Sequence, residues 1–207
     1  LRCNLHCAHC GSDCRVESGV EELSVEEFLG VIDRLTPHID PHKLLVIFTG
    51  GEALVRRDIE EAGLALYHRG YPWGIVTNGM LLDEKRLESL QRAGIHTATV
   101  SLDGFEEVHN KMRGHPLSYA RAWRAIQLLS EAEDIVWDVV TCVHPLNYDS
   151  LPALRQQLID QGVKRWRLFS IFPVGRAAKN SQLQLSDRQY FDLMNFICET
   201  NEPVSYT

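Results

Sequence analysis

Five β-branched apolar runs, separated by amphipathic stretches, leave few topologies open to this chain. The runs are residues 44–49 (LLVIFT), 73–77 (WGIVT), 97–102 (TATVSL), 136–143 (VWDVVTCV) and 165–172 (RWRLFSIF). Most read as continuous apolar runs, as strands covered on both faces do. Between them lie helical patterns with explicit start and stop chemistry. Residues 24–36 open with Ser24 and Glu27 at capping-box spacing and set Val25, Phe28, Leu29, Ile32 and Leu35 on one face. Residues 57–69 stop at Gly70, 83–93 start on an Asp83 cap and stop at Gly94, and 147–161 stop at Gly162. Residues 186–198 repeat the box with Ser186 and Gln189, and Tyr190, Phe191, Met194, Ile197 and Cys198 form the expected inward face.

This alternation predicts an α/β fold of right-handed βα units closing on one another. Five strands, and a sixth expected ahead of Cys3, fall short of the eight of a full barrel, so an open or incomplete barrel is the natural product. Ligands of such folds sit at the carboxyl ends of the strands. In 207 residues, 44% apolar and 24% charged, neither disorder nor a coiled coil fits, and no apolar run approaches the roughly 18 to 20 residues of a membrane span. A net charge of −7 with no basic stretch argues against a nucleic-acid partner. One domain spanning 1–207 is expected, as a fragment of a longer protein, because Leu1 and Arg2 give almost no lead-in to Cys3 and Ser205, Tyr206 and Thr207 carry no terminating signal.

The six cysteines do not look like disulfide partners. Cys3, Cys7, Cys10 and Cys14 crowd one segment, while Cys142 and Cys198 stand in apolar surroundings and read as core, with a position pointing into the barrel as the alternative for Cys142 near its strand end. Clustering of this kind points to ligation in a reducing, cytoplasmic compartment. Cys3, Cys7 and Cys10 have C-x3-C-x2-C spacing, enough thiolates to wrap one face of an iron-sulfur centre and leave one iron open. Structural zinc completed by Cys14, His6 or His9, and an electron-transfer cluster with Cys14 as fourth ligand, are the alternatives.

Other features fall at the same ends of successive strands. Thr49-Gly50-Gly51-Glu52 lets backbone amides approach a ligand and offers a carboxylate to an ammonium group. Then come Thr77-Asn78-Gly79, Ser101-Leu102-Asp103-Gly104 with Arg113 downstream, and Phe172-Pro173-Val174-Gly175-Arg176. Taken singly each has a plain reading as a turn, a solvated arginine or a core aromatic; their shared position is what points to a site.

The segments CNLHCAHC (3–10), FTGGEAL (48–54), VTNGMLL (76–82), VSLDGFEEVHNKMRG (100–114) and FPVGRA (172–177) together resemble the radical S-adenosylmethionine enzymes, in the branch that carries a C-terminal SPASM extension. The resemblance implies a partial (β/α)6 TIM-like barrel of parallel strands with outer helices. It implies a [4Fe-4S] cluster held by Cys3, Cys7 and Cys10, its open iron chelating the amine and carboxylate of S-adenosylmethionine. Gly50, Gly51 and Glu52 would bind the methionyl amine region, Ser101 and Arg113 the ribose and carboxylate end, and Phe172 the adenine. His9 stands where the family often has an aromatic residue against the nucleoside, and Asn78 would lie near the ribose. The implied chemistry is reductive cleavage to a 5′-deoxyadenosyl radical, which abstracts hydrogen inside a dry barrel. A peptide or protein side chain is the expected substrate, with a flavodoxin or ferredoxin as electron donor; catalytic residues beyond the cofactor sites are not assigned. Rearrangement of a molybdopterin- or tetrapyrrole-type metabolite, or a non-catalytic iron-sulfur or zinc module, are the competing functions.

Overall fold

The computed structural model describes residues 1–17 and 19–200; the chain end at Ser205, Tyr206 and Thr207 lies outside them. In chain order the elements are α1 (Val25–Leu35), β1 (Val46–Phe48), α2 (Ile59–His68), β2 (Trp73–Thr77), α3 (Glu84–Arg92), β3 (Thr97–Ser101), α4 (Glu106–Arg113), α5 (Ser118–Glu131), β4 (Val136–Val143), α6 (Leu151–Asp160), β5 (Trp166–Ser170) and α7 (Asp187–Thr200). The strands form one sheet in the order β1-β2-β3-β4-β5, every pair parallel.

A strictly sequential parallel order places each crossover on the same side, which is the winding of a barrel and not of a doubly wound sheet. Side-chain burial agrees. Val46, Phe48, Trp73, Ile75, Ala98, Val100 and Val139 share one face, where they pack against Ile59, Leu66, Leu87, Leu90, Ala122, Ile126 and Leu129 of the helices. Helices α2, α3 and α5 cover this face, while on the other Val108 and Met112 of α4 cluster with Cys142 near the strand end. The other face carries Val76, Ser101 and Cys142 into a cavity, so the strands are not sandwiched between two helical layers as their continuous apolar runs suggested.

Local chemistry accounts for the helix starts. The Ser24 hydroxyl accepts from the Glu27 N–H and the Glu27 carboxylate from the Ser24 N–H, completing the capping box. Asp83 accepts from the Arg86 N–H to open α3. Ser186 and Gln189 exchange the same pair of bonds ahead of α7.

Three expectations are corrected. Among the inward face expected of α1, Leu35 is exposed. On α7 the inward side is Leu193, Phe196 and Ile197, packed with Val143, Leu151 and Trp166, while Tyr190, Phe191 and Met194 face solvent. Cys198 is exposed and is not a core residue. Neither α4 nor α5 had a counterpart in the sequence reading. Among the described residues no helix is long and apolar enough to cross a membrane.

Candidate functional site

The cysteine segment has no regular structure of its own; it is closed on itself at Arg15 and stitched to three other segments across the carboxyl ends of the strands. Cys3 N–H donates to the Arg15 carbonyl (2.7 Å), Glu52 N–H to the Arg2 carbonyl (2.9 Å), Ala8 N–H to the Met112 carbonyl (2.8 Å) and Arg176 N–H to the Cys10 carbonyl (2.9 Å). Two glycines make these approaches possible. A Cβ on Gly51 would lie 1.9 Å from the Arg2 carbonyl oxygen, and Gly175, at φ 59°, would thrust one within 2.5 Å of the Gly11 and Cys10 carbonyls. Arg176 completes the seam: its Nε donates to the Cys7 carbonyl and its Nη1 to the Cys14 carbonyl and Asp13.

Beneath this loop lies a cavity of about 290 Å³ lined by Cys3, Cys7, His9, Cys10, Cys14, Gly50, Gly51, Glu52, Asn78, Ser101, Arg113, Cys142 and Arg176, among others. Ten of the eleven site residues expected from sequence therefore meet in one space. Phe172 does not; it is 72% exposed and absent from the lining. A larger cavity, about 810 Å³, opens among His42, Tyr67, Pro72, Arg92 and His96, at the amino ends of β2 and β3. No strand-end motif reaches it, so size here does not mark the chemistry.

The carboxylate of Glu52 is held from three sides. Oε1 accepts from the Thr77 hydroxyl (2.7 Å) and the Leu54 N–H (3.1 Å), and Oε2 from the Asn78 N–H (2.7 Å). Burial nevertheless raises its pKa above the ordinary value. A cationic ligand entering the cavity would relieve that cost. Asn78 in turn directs Nδ2 at Asn4 (2.9 Å) and, at 4.0 Å, at the Cys3 sulfur.

On the opposite wall Asp103, fully buried, receives Arg113 Nε on Oδ2 (2.7 Å) and the Cys142 N–H on Oδ1 (3.0 Å). Burial alone would raise the Asp103 pKa, but the guanidinium overcomes it and holds the acid well below the usual carboxylate range. Arg113 is displaced upward by the same pairing, again against its own burial. Its Nη1 lies 3.9 Å from the Cys7 sulfur. His9 is neutral, because burial lowers its pKa to about 4. Its Nε2 stands 3.5 Å from Asp103, and its buried Nδ1 has no protein partner. Asp103 and Arg176 stood in the strand-end segments read from sequence but were given no role there; the pairing of Asp103 with Arg113, ten residues on, is what the structure adds. Cys142, read as core, lines the cavity, and burial with Asp103 nearby pushes its thiol up to about 12.

The thiols suit a cluster better than a single ion. Tetrahedral zinc, with Zn–S near 2.3 Å, draws its sulfurs to about 3.8 Å of one another. Among the described residues no three of these thiols come within 4.8 Å of each other. Sulfurs on separate corners of a cubane stand further apart. Burial raises the pKa of Cys3 and Cys7, while for Cys10 it is outweighed by the Cys14 and Ser12 N–H groups, which bring that thiol down. Cys14 is driven up to about 11 by burial and by Cys10 beside it.

The family model described as the radical SAM superfamily matches residues 1–158. The Fe-coproporphyrin III synthase of Methanosarcina barkeri is 31% identical over 196 residues, covering 93% of this chain and 48% of that protein. The PqqA peptide cyclase of Granulibacter bethesdensis is 26% identical over 193 residues, covering 93% and 50%. The crystal structure of Streptococcus suis SuiB bound to S-adenosylmethionine shares the fold, with a TM-score of 0.73, 15% identity and coverage of 96% of this chain and 46% of that one. The chain spans about half the length of the curated relatives it matches.

Proposed function

This chain belongs to the radical SAM superfamily, whose cofactors are a [4Fe-4S] cluster and S-adenosylmethionine, and from that premise we propose that residues 1–207 are the core domain of an enzyme that uses them to take a hydrogen atom from a peptide or protein side chain. Cys3, Cys7 and Cys10 hold three irons of the cluster; Cys14 is not a ligand. When bound, the cluster supplies the electron that breaks the C5′–S bond of S-adenosylmethionine.

The chain's own residues do the rest. The backbone carbonyls at Gly50 and Gly51 and the carboxylate of Glu52 accept from the methionyl ammonium, and the Arg113 guanidinium, fixed by Asp103, takes the carboxylate. Ser101, Asn78 and the neutral ring of His9 border the nucleoside. Phe172 is not assigned to the adenine. The Arg176 seam and the loop over the cavity exclude water from the place where a reactive species would form. A flavodoxin- or ferredoxin-type protein is the electron donor in this reading.

What carries the proposal is the convergence of three thiols, a buried carboxylate and a buried guanidinium on one 290 Å³ cavity at the strand ends. The peptide substrate draws on likeness to a peptide cyclase; likeness at 31% identity to a coproporphyrin-handling enzyme favours a second reading, a tetrapyrrole. Anaerobic reconstitution with iron and sulfide, then reduction by dithionite in the presence of S-adenosylmethionine, tests the activity. Release of 5′-deoxyadenosine, lost on changing Cys3, Cys7 or Cys10 to Ala, is expected. No release, or one zinc per chain and no iron, overturns it.

A further inference from the structure

Cys3, Cys7 and Cys10 each meet an N–H of this chain. Backbone amides serve two of them, Ser12 and Cys14 at Cys10 and Leu5 at Cys3. Two further donors are side chains brought in from other elements. Asn78 Nδ2 lies 4.0 Å from the Cys3 sulfur and Arg113 Nη1 3.9 Å from the Cys7 sulfur, within the longer reach of a hydrogen bond to sulfur. The three thiols, Asn78 and Arg113 all line the 290 Å³ cavity.

Asn78 is buried and braced on every side. Its Oδ1 accepts from the Met80 N–H (3.0 Å), its backbone N–H donates to Glu52 Oε2 (2.7 Å), and its Nδ2 donates to Asn4 Oδ1 (2.9 Å). A side-chain amide has two N–H groups. One is taken by Asn4, the residue after Cys3, and the other is left for the Cys3 sulfur, with the Met80 bond preventing the amide from turning over.

A turn alone does not call for this residue. The bond from Met80 N–H to Asn78 Oδ1 is an Asx turn, which aspartate closes as readily as asparagine. Only the amide also supplies a donor, and aspartate would set a negative charge against a thiolate. Arg113 differs in that it is spent mainly on Asp103, at 2.7 Å. Asn78 is the neutral member of the two side-chain donors, so changing it to an apolar residue removes a hydrogen bond and no charge.

We propose that Asn78, by donating to the Cys3 sulfur, raises the reduction potential of the cluster and so keeps it within reach of the electron donor. Reduction adds one electron, whose charge spreads onto the thiolate sulfurs. A fixed N–H dipole therefore stabilises the reduced form more than the oxidised one, and in a buried site water does not screen the difference. The inference rests on the proposed function for the presence of the cluster, and it gives Asn78 a task beyond bordering the nucleoside.

A redox titration followed by electron paramagnetic resonance, on anaerobically reconstituted protein without S-adenosylmethionine, reads the potential and no turnover. Asn78→Leu keeps the size and removes the donor. At a fixed solution potential its ratio of reduced to oxidised cluster should fall about tenfold, the scale of one charge-assisted hydrogen bond, which for a one-electron couple is a midpoint about 59 mV lower. Asn78→Asp, which keeps the turn and adds a charge, should fall further still. A midpoint unmoved in Asn78→Leu, or one for Asn78→Asp that lies above it, overturns the proposal. Should the variants hold no cluster, the unaltered protein decides, made with isotopically labelled nitrogen in its asparagine side-chain amides: pulsed resonance of the reduced cluster should detect a coupled amide nitrogen, and its absence overturns the proposal. Unaltered protein that builds no four-iron cluster fails the proposed function and this inference with it, whereas a cluster whose potential ignores Asn78 fails this inference alone.

Discussion

Asp103→Asn is the most informative single change to the protein's framework. The side chain is fully buried, and Arg113, itself 8% exposed, depends on it for a counter-charge at 2.7 Å. Asparagine keeps the shape and a carbonyl that can accept from the Cys142 N–H, so the loss isolates the charge. Removing one member of a buried ion pair costs about 3–5 kcal/mol, because the remaining charge stays desolvated. Against a domain stability of about 5–15 kcal/mol this is a large fraction. With a urea slope of about 2.5 kcal/mol per molar for a chain of this size, the midpoint should fall by about 1.5 M. Unfolding followed by tryptophan fluorescence reads it, since Trp73 is fully buried. Asp103→Leu combined with Arg113→Met should lose less than Asp103→Asn alone, because no charge is stranded. A midpoint within about 0.3 M of wild type for Asp103→Asn would refute the reasoning.

Gly51→Ala should cut the iron retained after anaerobic reconstitution several-fold, because the new Cβ would lie 1.9 Å from the carbonyl oxygen of Arg2, next to Cys3; iron content equal to wild type would contradict this. His109, fully buried with Nδ1 accepting from the Asp103 N–H (2.9 Å), has its pKa lowered from 6.5 to about 4 by burial. The unfolded chain therefore binds the extra proton between pH 6.5 and 4, and stability falls as pH falls through that window, by about 3 kcal/mol in total from this group. His9 and His144 act in the same direction. His109→Asn should remove one proton's share of the slope, measured as urea midpoints from pH 7 to pH 4; an unchanged slope counts against the assignment.

Sequence was a good guide where the determinants are local. β2 and β4 occupy their expected residues, and the Ser24 and Asp83 caps form as spacing demanded, because each needs only neighbours three residues away. β1 shrank to Val46–Phe48, the length over which it pairs with β2. Helix α5 escaped notice because its Leu117 cap makes no side-chain bond, so no capping signal announces it. On α7 two apolar stripes compete, and only contact with Val143, Leu151 and Trp166 decides for Leu193, Phe196 and Ile197. The cysteines and the Gly-Gly-Glu turn were readable since strand ends gather ligands in this topology. Asp103 was not, because its meaning depends on α4 folding Arg113 back upon it. The same holds for Arg176, whose bonds reach Cys7 and Cys14 more than 160 residues earlier in the chain.

The central claim is a four-iron centre gripped at three corners by this chain. Mössbauer spectroscopy of anaerobic protein reconstituted with isotopically enriched iron, recorded before and after S-adenosylmethionine is added, addresses it directly. One iron in four should change its isomer shift while the other three stay as they were, with or without Cys14. Four irons that all ignore the addition, or a spectrum without a cubane, would contradict the account.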